Sequence, residues 1–568
     1  MEHRKNRVKN IFECLLLVAA GAILFTLPNP NILFKKGLPF FAWVMYLPFL
    51  FLIKKSSLKN CWLFGGLYGS SCVGFYAYWL YNYNPLCLYI ALVLAFTGIA
   101  LLSLALKGLE YLFPAKAWFM QFLLLCSFEY LRTLGFMGIH YGLAAYTQWN
   151  SKLLLQTASL GGVFLLNAFI IFSSALIFSF ISKYMDKKKI EKKMIGDNEH
   201  YDGVSYVNYV SENEKALKLT SLKMPFICLG FWAALLVFFL VYGKISQFSR
   251  EQISSMESVT VAAIQHNDNP HENGMENFNE SIQRLISLTE EALELNPEIQ
   301  IVVWPETAVV PSVMYNYYRT DNSDRKKLIN YLLNYLNNSS CDFIIGNQHI
   351  EVKGGQRKIY NSSLLFKPGQ NVIPPSPSIN SKMKLVPFSE YFPYEKYFPH
   401  IYKSLLEYEK FFLDPGSDIA IFDSQGLSIY SPICFENTFP QLCRIAWKKG
   451  ARSLFCLVSD AWSKSLACQY QHLAMAKFRA VENRIPVVIS SVTGQTAFLD
   501  MNGQISVMAE PFNSTYAIAR VPVLDQGQKS TLYNRIGDIF GLLPVILFTL
   551  LLIIRSIIVI IRYTQKRK

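Results

Sequence analysis

The sequence predicts a two-part protein: a polytopic α-helical membrane domain of about eight spans, and an external α/β domain. Three observations carry that reading. The 568 residues are 52% hydrophobic and only 17% charged, with a mean hydropathy of +0.23, against roughly a quarter charged in soluble proteins. The apolar excess sits in long uncharged runs at both ends, while the middle alternates short β-rich runs with amphipathic segments. The basic residues behind the net charge of +14 cluster beside the apolar runs, where a membrane protein places them, and not in an aromatic-lined patch for nucleic acid. A fully soluble enzyme, a disordered chain and a small disulfide scaffold are excluded.

A bilayer core about 30 Å thick takes about 20 apolar residues as a helix. Eight runs qualify or nearly so: 11–27, 39–53, 61–81, 86–106, 118–131, 160–182, 224–242 and 536–561. The second and fifth are short. The first follows Arg4, Lys5, Arg7 and Lys9 and ends in Thr26-Leu27-Pro28-Asn29-Pro30 without a small-x-small site, so it reads as an uncleaved signal anchor. Positive charge marks the cytoplasmic side. The basic start, Lys54, Lys55 and Lys59, and the cluster from Lys183 to Lys193 then fall inside, with Lys35 and Lys36 a minor violation outside. This predicts a membrane domain over 1–243 with a polar cytoplasmic linker at 183–223, an external domain over 244–535, and a last span with a basic cytoplasmic tail over 536–568.

In the external region, strands are expected at 258–265, 299–304, 341–346, 429–433, 452–459, 486–491, 496–499 and 517–521. Helices are expected at 276–295, 325–336, 439–449 and 469–481. Such alternation reads as a layered α/β domain.

Three segments there break the pattern of an ordinary core. In Val302-Val303-Trp304-Pro305-Glu306-Thr307 an apolar strand runs into a carboxylate, which burial would turn into a stronger base; a surface Glu after a strand is about equally expected. In Lys382-Met383-Lys384-Leu385-Val386-Pro387-Phe388-Ser389-Glu390-Tyr391 an ammonium could stabilise an oxyanion, although alone the segment reads as a solvated loop. In Pro432-Ile433-Cys434-Phe435-Glu436 a cysteine stands where a strand turns toward a helix, a place that favours a thiolate; a lone cysteine is more often apolar filler.

Glu, Lys and Cys in that order resemble the catalytic triad of the nitrilase superfamily, and the chain as a whole resembles its membrane-embedded branch, the apolipoprotein N-acyltransferases. WPET, K-x-x-LVPF-x-E-Y and CFE look like that family's core blocks. Tyr360-Asn361-Ser362, Ser459-Asp460-Ala461-Trp462, Gln471-His472, Arg479-Ala480-Val481-Glu482 and Glu129 through Gly138 resemble secondary ones. The resemblance implies a nitrilase-like αββα sandwich for the external domain. Glu306 matches the general base, Lys382 the catalytic lysine and Cys434 the nucleophile, with Lys384 ranked behind Lys382. Glu390, Phe435, Glu436 and Trp462 match supporting or substrate-contacting positions. Ser389 stands where the family usually has Gly, Phe435 where it has Tyr, and Ser459 where it has Asn. A Lys-Trp pair expected near Gly274-Met275 is missing.

The implied reaction moves a fatty acyl chain from a membrane phospholipid to the α-amino group of diacylglyceryl-cysteine on an apolipoprotein, by two half-reactions through a cysteine thioester. Expected partners are the phospholipid donor, the diacylated apolipoprotein acceptor and the bilayer, with no nucleic acid, no cofactor, no metal and a monomeric state. The expected location is the bacterial inner membrane, catalytic domain on the periplasmic side. A membrane-tethered amidase acting on a soluble amide is the alternative; eight spans are excessive for a tether. A transporter fits least, because the spans carry few charges. The external cysteines Cys341, Cys434, Cys443, Cys456 and Cys468 are odd in number, which leaves a free thiol even if disulfides form. The aromatic-rich stretch 391–412, which follows Glu390 directly, is expected to form a membrane-facing lid.

Overall fold

A computed structural model describes residues 2–135, 138–197, 220–268, 274–392, 394–409 and 412–567. All eight apolar runs are helical, and five helices are long and apolar enough to cross a membrane: Arg4–Thr26, Pro85–Leu112, Leu154–Lys192, Lys223–Ser254 and Ile539–Gln565. Ala117–Leu131 is a shorter apolar helix. The run at 39–53 splits into a 3-10 turn, Pro39–Val44, and a nine-residue helix, Leu47–Lys55. Nine residues rise only about 14 Å, and Leu50, Leu52 and Ile53 are fully enclosed by neighbouring helices. The run at 61–81 is helical over Cys61–Tyr76 and then turns through Leu80–Tyr83.

The helix Ala158–Asp197 overruns the predicted span end at 182 by fifteen residues. Its extension is rich in Lys, a good helix former, with Lys187 and Glu191 paired one turn apart. Near its start Gly161 and Gly162 leave helical geometry, Gly162 with φ +65. A Cβ on Gly162 would meet the Tyr533 ring at 2.6 Å, so only glycine allows both the kink and the contact.

The external region is a sandwich of two six-stranded sheets. The first holds β1 (Ser258–Gln265), β2 (Ile301–Val303), β3 (Asp342–Lys353), β4 (Gln356–Phe366), β5 (Ser378–Ser381) and, at its other edge, β12 (Thr515–Pro522). Its order is β12-β1-β2-β3-β4-β5. The second holds β6 (Ile421–Ser424), β7 (Leu427–Tyr430), β8 (Ser453–Val458), β9 (Val487–Ser491), β10 (Ala497–Leu499) and β11 (Ile505–Met508), in the order β11-β10-β9-β8-β7-β6. Both have a parallel centre, β1-β2-β3 and β7-β8-β9, with antiparallel edges. Val261, Val303, Ile344, Phe422, Ile429, Phe455, Leu457 and Val488 fill the space between the sheets. The alternate residues of β1–β3, such as Ile264, Val302 and Phe343, pack outward against the helices Met275–Leu295 and Ser323–Asn338.

The second sheet's outer face is covered by Pro440–Lys448 and Leu466–Asn483. That layer does not face solvent. Leu454, Cys456 and Ile489 of the sheet, Leu473 and Phe478 of the long helix, and Tyr146, Phe164 and Leu166 of the membrane part belong to one continuous apolar core. The αββα sandwich therefore lies with one helical layer sealed onto the membrane helices.

Candidate active site

Three loops at one end of the sandwich carry the candidate catalytic residues. Strand β2 is fully buried, so the chain leaves it through Trp304, whose indole N–H donates to Thr289 Oγ1 at 3.0 Å, and delivers Glu306 to a buried position. The loop lies directly on β3: a Cβ at Gly346 would stand 2.2 Å from the Pro305 carbonyl and 2.8 Å from the Glu306 Cα. Lys382 follows the last residue of β5, its backbone N–H donating to the Asn361 carbonyl on β4 at 2.8 Å. Cys434 follows β7 after a short link in which Ile433 bridges to Leu457.

Lys382 is 1% exposed, and its Nζ lies 3.2 Å from Glu306 Oε1 and 2.8 Å from Glu390 Oε1. The Asn361 amide donates to Glu306 Oε1 at 2.8 Å and to Glu390 Oε1 at 3.4 Å. Glu390 Oε2 accepts the Val386 N–H at 2.8 Å, which closes the LVPFSE turn on itself. Glu436 is fully buried and joins two of the loops. Its Oε1 accepts the Met383 N–H at 2.7 Å and the Lys384 N–H at 3.3 Å, and its Oε2 accepts the Ile433 N–H at 3.0 Å.

Cys434 has φ +48, left-handed for a residue with a side chain, a strained geometry typical of functional turns. It opens a 3-10 turn, Cys434–Thr438, ahead of the helix at Pro440. Its carbonyl oxygen lies 3.1 Å from His472 Nε2, and His472 Nδ1 lies 3.1 Å from Asp460 Oδ2. The ring of half-buried Phe435 packs edge-on against Phe439 at 5.0 Å.

The electrostatics are those of a buried base, cation and thiol. Burial raises the Glu306 carboxyl above its ordinary range, against the pull of Lys382. Burial opposes the Lys382 charge, but Glu306 and then Glu390 overcome it and push the ammonium up. Burial, then Glu306, pushes the Cys434 thiol well up, with Lys382 pulling the other way. The resting pair is therefore a thiol beside a carboxylate whose proton affinity is enhanced.

Residues 260–528 match the Carbon-nitrogen hydrolase family model, and residues 21–176 match the Apolipoprotein N-acyltransferase N-terminal domain. The chain is 35% identical to apolipoprotein N-acyltransferase 1 of Treponema denticola over 97% of both chains. It is 33% identical to apolipoprotein N-acyltransferase 1 of Treponema pallidum over 90% of both, and 26% identical to apolipoprotein N-acyltransferase of Borreliella burgdorferi over 94% of both. The chain belongs to the apolipoprotein N-acyltransferase family. It is accordingly a multi-pass membrane protein of lipoprotein biosynthesis with a nitrilase-like domain.

Of the residues that sequence reasoning singled out in this N-acyltransferase, Glu306, Lys382 and Glu390 form one hydrogen-bonded cluster, and Cys434 lies within its electrostatic reach. Lys384 does not join it. Its side chain is exposed and stands over the Phe439 ring at 5.7 Å, because the chain leaves β5 at Ser381 and bends at Met383 and Lys384, where Glu436 Oε1 holds both backbone N–H groups. Trp462 is half-buried, its ring 5.5 Å from Trp79 and 5.4 Å from Tyr83 of the membrane part. Ser389 meets the Tyr83 hydroxyl at 2.5 Å, a partner that glycine could not offer. The sequence reading assigned no role to Asn361, Asp460 or His472. Their only signal was a place in short blocks of the family resemblance, and their partners are 12 to 55 residues away in the chain. Among the described residues the external cysteines Cys341, Cys434, Cys443, Cys456 and Cys468 form no disulfide, and no group of His, Cys, Asp and Glu could hold a metal ion.

Proposed function

We propose that the protein transfers a fatty acyl chain from a membrane phospholipid to the N-terminal α-amino group of diacylglyceryl-cysteine on apolipoproteins. It works from the bacterial inner membrane, with the catalytic domain of residues 244–535 on the periplasmic side. The observation that supports it best is the buried Glu306–Lys382–Glu390 cluster beside a left-handed Cys434, in a domain packed onto spanning helices.

Glu306 takes the proton from Cys434 Sγ, and the thiolate attacks an ester carbonyl of the phospholipid. Lys382 and the Phe435 backbone N–H hold the oxyanion. The carbon–oxygen bond breaks, Glu306 returns the proton to the leaving alkoxide, and a lysophospholipid departs from the thioester. The lipoprotein amine then attacks the thioester, Glu306 takes its proton, and the amide leaves with the thiol restored. Splitting one difficult exchange into two displacements is what a covalent nucleophile offers. Glu390 orients Lys382, Glu436 ties the lysine loop to the cysteine turn, and Trp462 with Tyr83 and Trp79 lines the side that meets the bilayer. No step needs a cofactor.

The test is mass spectrometry of the purified full chain after incubation with phospholipid vesicles. An acyl mass on the Cys434 peptide, discharged by a diacylated lipopeptide bearing a free amine, is the expected result. An enzyme that never carries an acyl group yet hydrolyses soluble amides would replace this reading with the tethered amidase.

A further inference from the structure

His472 stands behind the nucleophile, outside the Glu306–Lys382–Glu390 cluster, and none of the steps above uses it. It lies on the helix Leu466–Asn483 and is 3% exposed; Asp460 is 4% exposed. Both ring nitrogens face atoms that accept. Nδ1 is 3.1 Å from Asp460 Oδ2 and 3.3 Å from Oδ1, and Nε2 is 3.1 Å from the Cys434 carbonyl oxygen. A neutral imidazole has one N–H and one bare lone pair. With the proton on Nδ1, the Nε2 lone pair meets the carbonyl oxygen. With the proton on Nε2, the Nδ1 lone pair meets a carboxylate. Either way two acceptors touch in a buried site, where the repulsion is poorly screened. Only the doubly protonated ring donates to both.

Resting on the reading of Cys434 as nucleophile, we propose that His472 is held as an imidazolium by Asp460, and that its N–H to the Cys434 carbonyl makes it the positioning residue of the nucleophile. A left-handed cysteine persists only where its surroundings over-determine it. Here one helix holds both ends of the turn. His472 holds the carbonyl of Cys434, and Arg479, two helical turns on along the same face, donates from Nη1 to the carbonyl of Thr438 at 3.1 Å.

The charged and titratable groups around the ring are Asp460 after β8, Glu306 after β2, Cys434 after β7 and Cys468 one turn back on its own helix, with Tyr141 of the membrane part near Asp460 and Cys434. Burial opposes the ring's charge, but Asp460 outweighs it and raises His472 above its ordinary value. The grip on Cys434 is therefore complete in acid, below the ring's ordinary value, and is lost as the pH rises through the raised one.

The direct test is nitrogen NMR of the full-length protein in detergent micelles with its eight histidines labelled, the His472 signals identified by their loss in His472→Gln. Both ring nitrogens are expected to be protonated at pH 7, and Asp460→Asn is expected to move deprotonation to lower pH. The second measurement is the rate of Cys434 acylation by a water-soluble nitrophenyl ester from pH 6 to 9. The wild type should lose rate on the alkaline side, and Asp460→Asn should lose it at lower pH. His472→Ala should lose roughly a hundredfold in rate with little change in KM. His472→Gln, which keeps an N–H but no charge, should recover part of that rate and lack the alkaline decline. A neutral His472 at pH 7, or identical pH profiles for wild type and Asp460→Asn, would overturn the proposal. A wild type that never acylates Cys434 would instead remove the nucleophile reading, on which the NMR result does not depend. Should Asp460→Asn or His472→Ala not fold, the wild-type spectrum, assigned through His472→Gln, still decides.

Discussion

At the scale of single residues, the site divides its cysteines and lysines by surroundings and not by chemistry. Cys434, Cys443, Cys456 and Cys468 are all buried, but Glu306 and Lys382 act on Cys434 alone among them. Cys434→Ser is expected to abolish both acyl transfer and the acyl mass, whereas Cys443→Ala, Cys456→Ala and Cys468→Ala keep most activity. Full activity in Cys434→Ser would sink the thioester mechanism. The two lysines differ as sharply. Lys382→Met leaves Glu306 and Glu390 facing each other without a cation, at a cost of about 3–5 kcal/mol, and should be inactive with a clearly lowered melting temperature. Lys384→Met removes only an exposed ammonium and should fold and turn over nearly as the wild type does. Comparable losses in the two variants would reverse their ranking.

At the scale of elements, two segments adjoin the site. The turn after Cys61–Tyr76 carries four polar contacts to catalytic-domain loops. Tyr78 meets Ser465 at 2.9 Å, the Trp79 indole donates to Gln471 at 3.2 Å, Asn82 donates to the Ser463 carbonyl at 2.6 Å, and Tyr83 meets Ser389. Ser389 precedes Glu390, so this turn steadies the carboxylate that orients Lys382. Tyr83→Phe and Ser389→Gly should each slow acylation modestly, and the double variant should cost no more than either single change, since both remove one bond. Simple addition of the two effects would show that the pair is uncoupled. The second segment is the aromatic stretch at 391–412. It is partly core: Phe392 is buried, with its ring against Phe388 and Tyr402. It is partly surface: Tyr394, Tyr397, Phe398 and Ile401 are exposed, as a lid that meets acyl chains requires; Phe411 lies outside the described residues. Phe398→Ser should slow acylation by phospholipid micelles while sparing stability and the reaction with a short soluble ester. Equal loss with both donors would retire the lid.

At the scale of the whole molecule, the sandwich and the spanning helices share one core, and a buried ion pair within the helix Leu466–Asn483 sits at the seam. Arg479 and Glu482 are fully enclosed, with Nη2 2.8 Å from Oε1. The same Oε1 accepts the Val163 N–H at 3.0 Å beside the Gly161–Gly162 kink. Arg479 thus links the cysteine turn to the membrane part. Arg479→Met strands a buried carboxylate and should cost about 3–5 kcal/mol, seen as a lowered unfolding temperature of the full chain in detergent together with slower Cys434 acylation. Activity lost without any change in stability would separate the two roles.

Much of this architecture was legible in the chain. Apolar length and lysine placement located eight helical segments, because each must satisfy its own backbone in a solvent without water. Strand β1 was read to the residue, because its β-rich start, Ser258-Val259-Thr260, leads straight into the apolar run Val261–Ile264 of a buried strand. Glu306, Lys382 and Cys434 were legible as strand-end residues of unusual type, and through the family resemblance. Other features depended on tertiary structure. Strand β4, which carries Asn361, begins with polar, half-exposed residues and exists through its long antiparallel register with β3. The exclusion of Lys384 from the cluster depended on the bend that Glu436 imposes after Lys382. The pairing of Asp460, His472 and the Cys434 carbonyl joins three separate segments, and the contacts of Tyr83 with Ser389 and of Glu482 with the Val163 N–H each join two more. Periodicity and composition report what each segment buries, but a buried polar group finds its partner only when distant segments close around it, and that closure is decided by the packing of the whole chain.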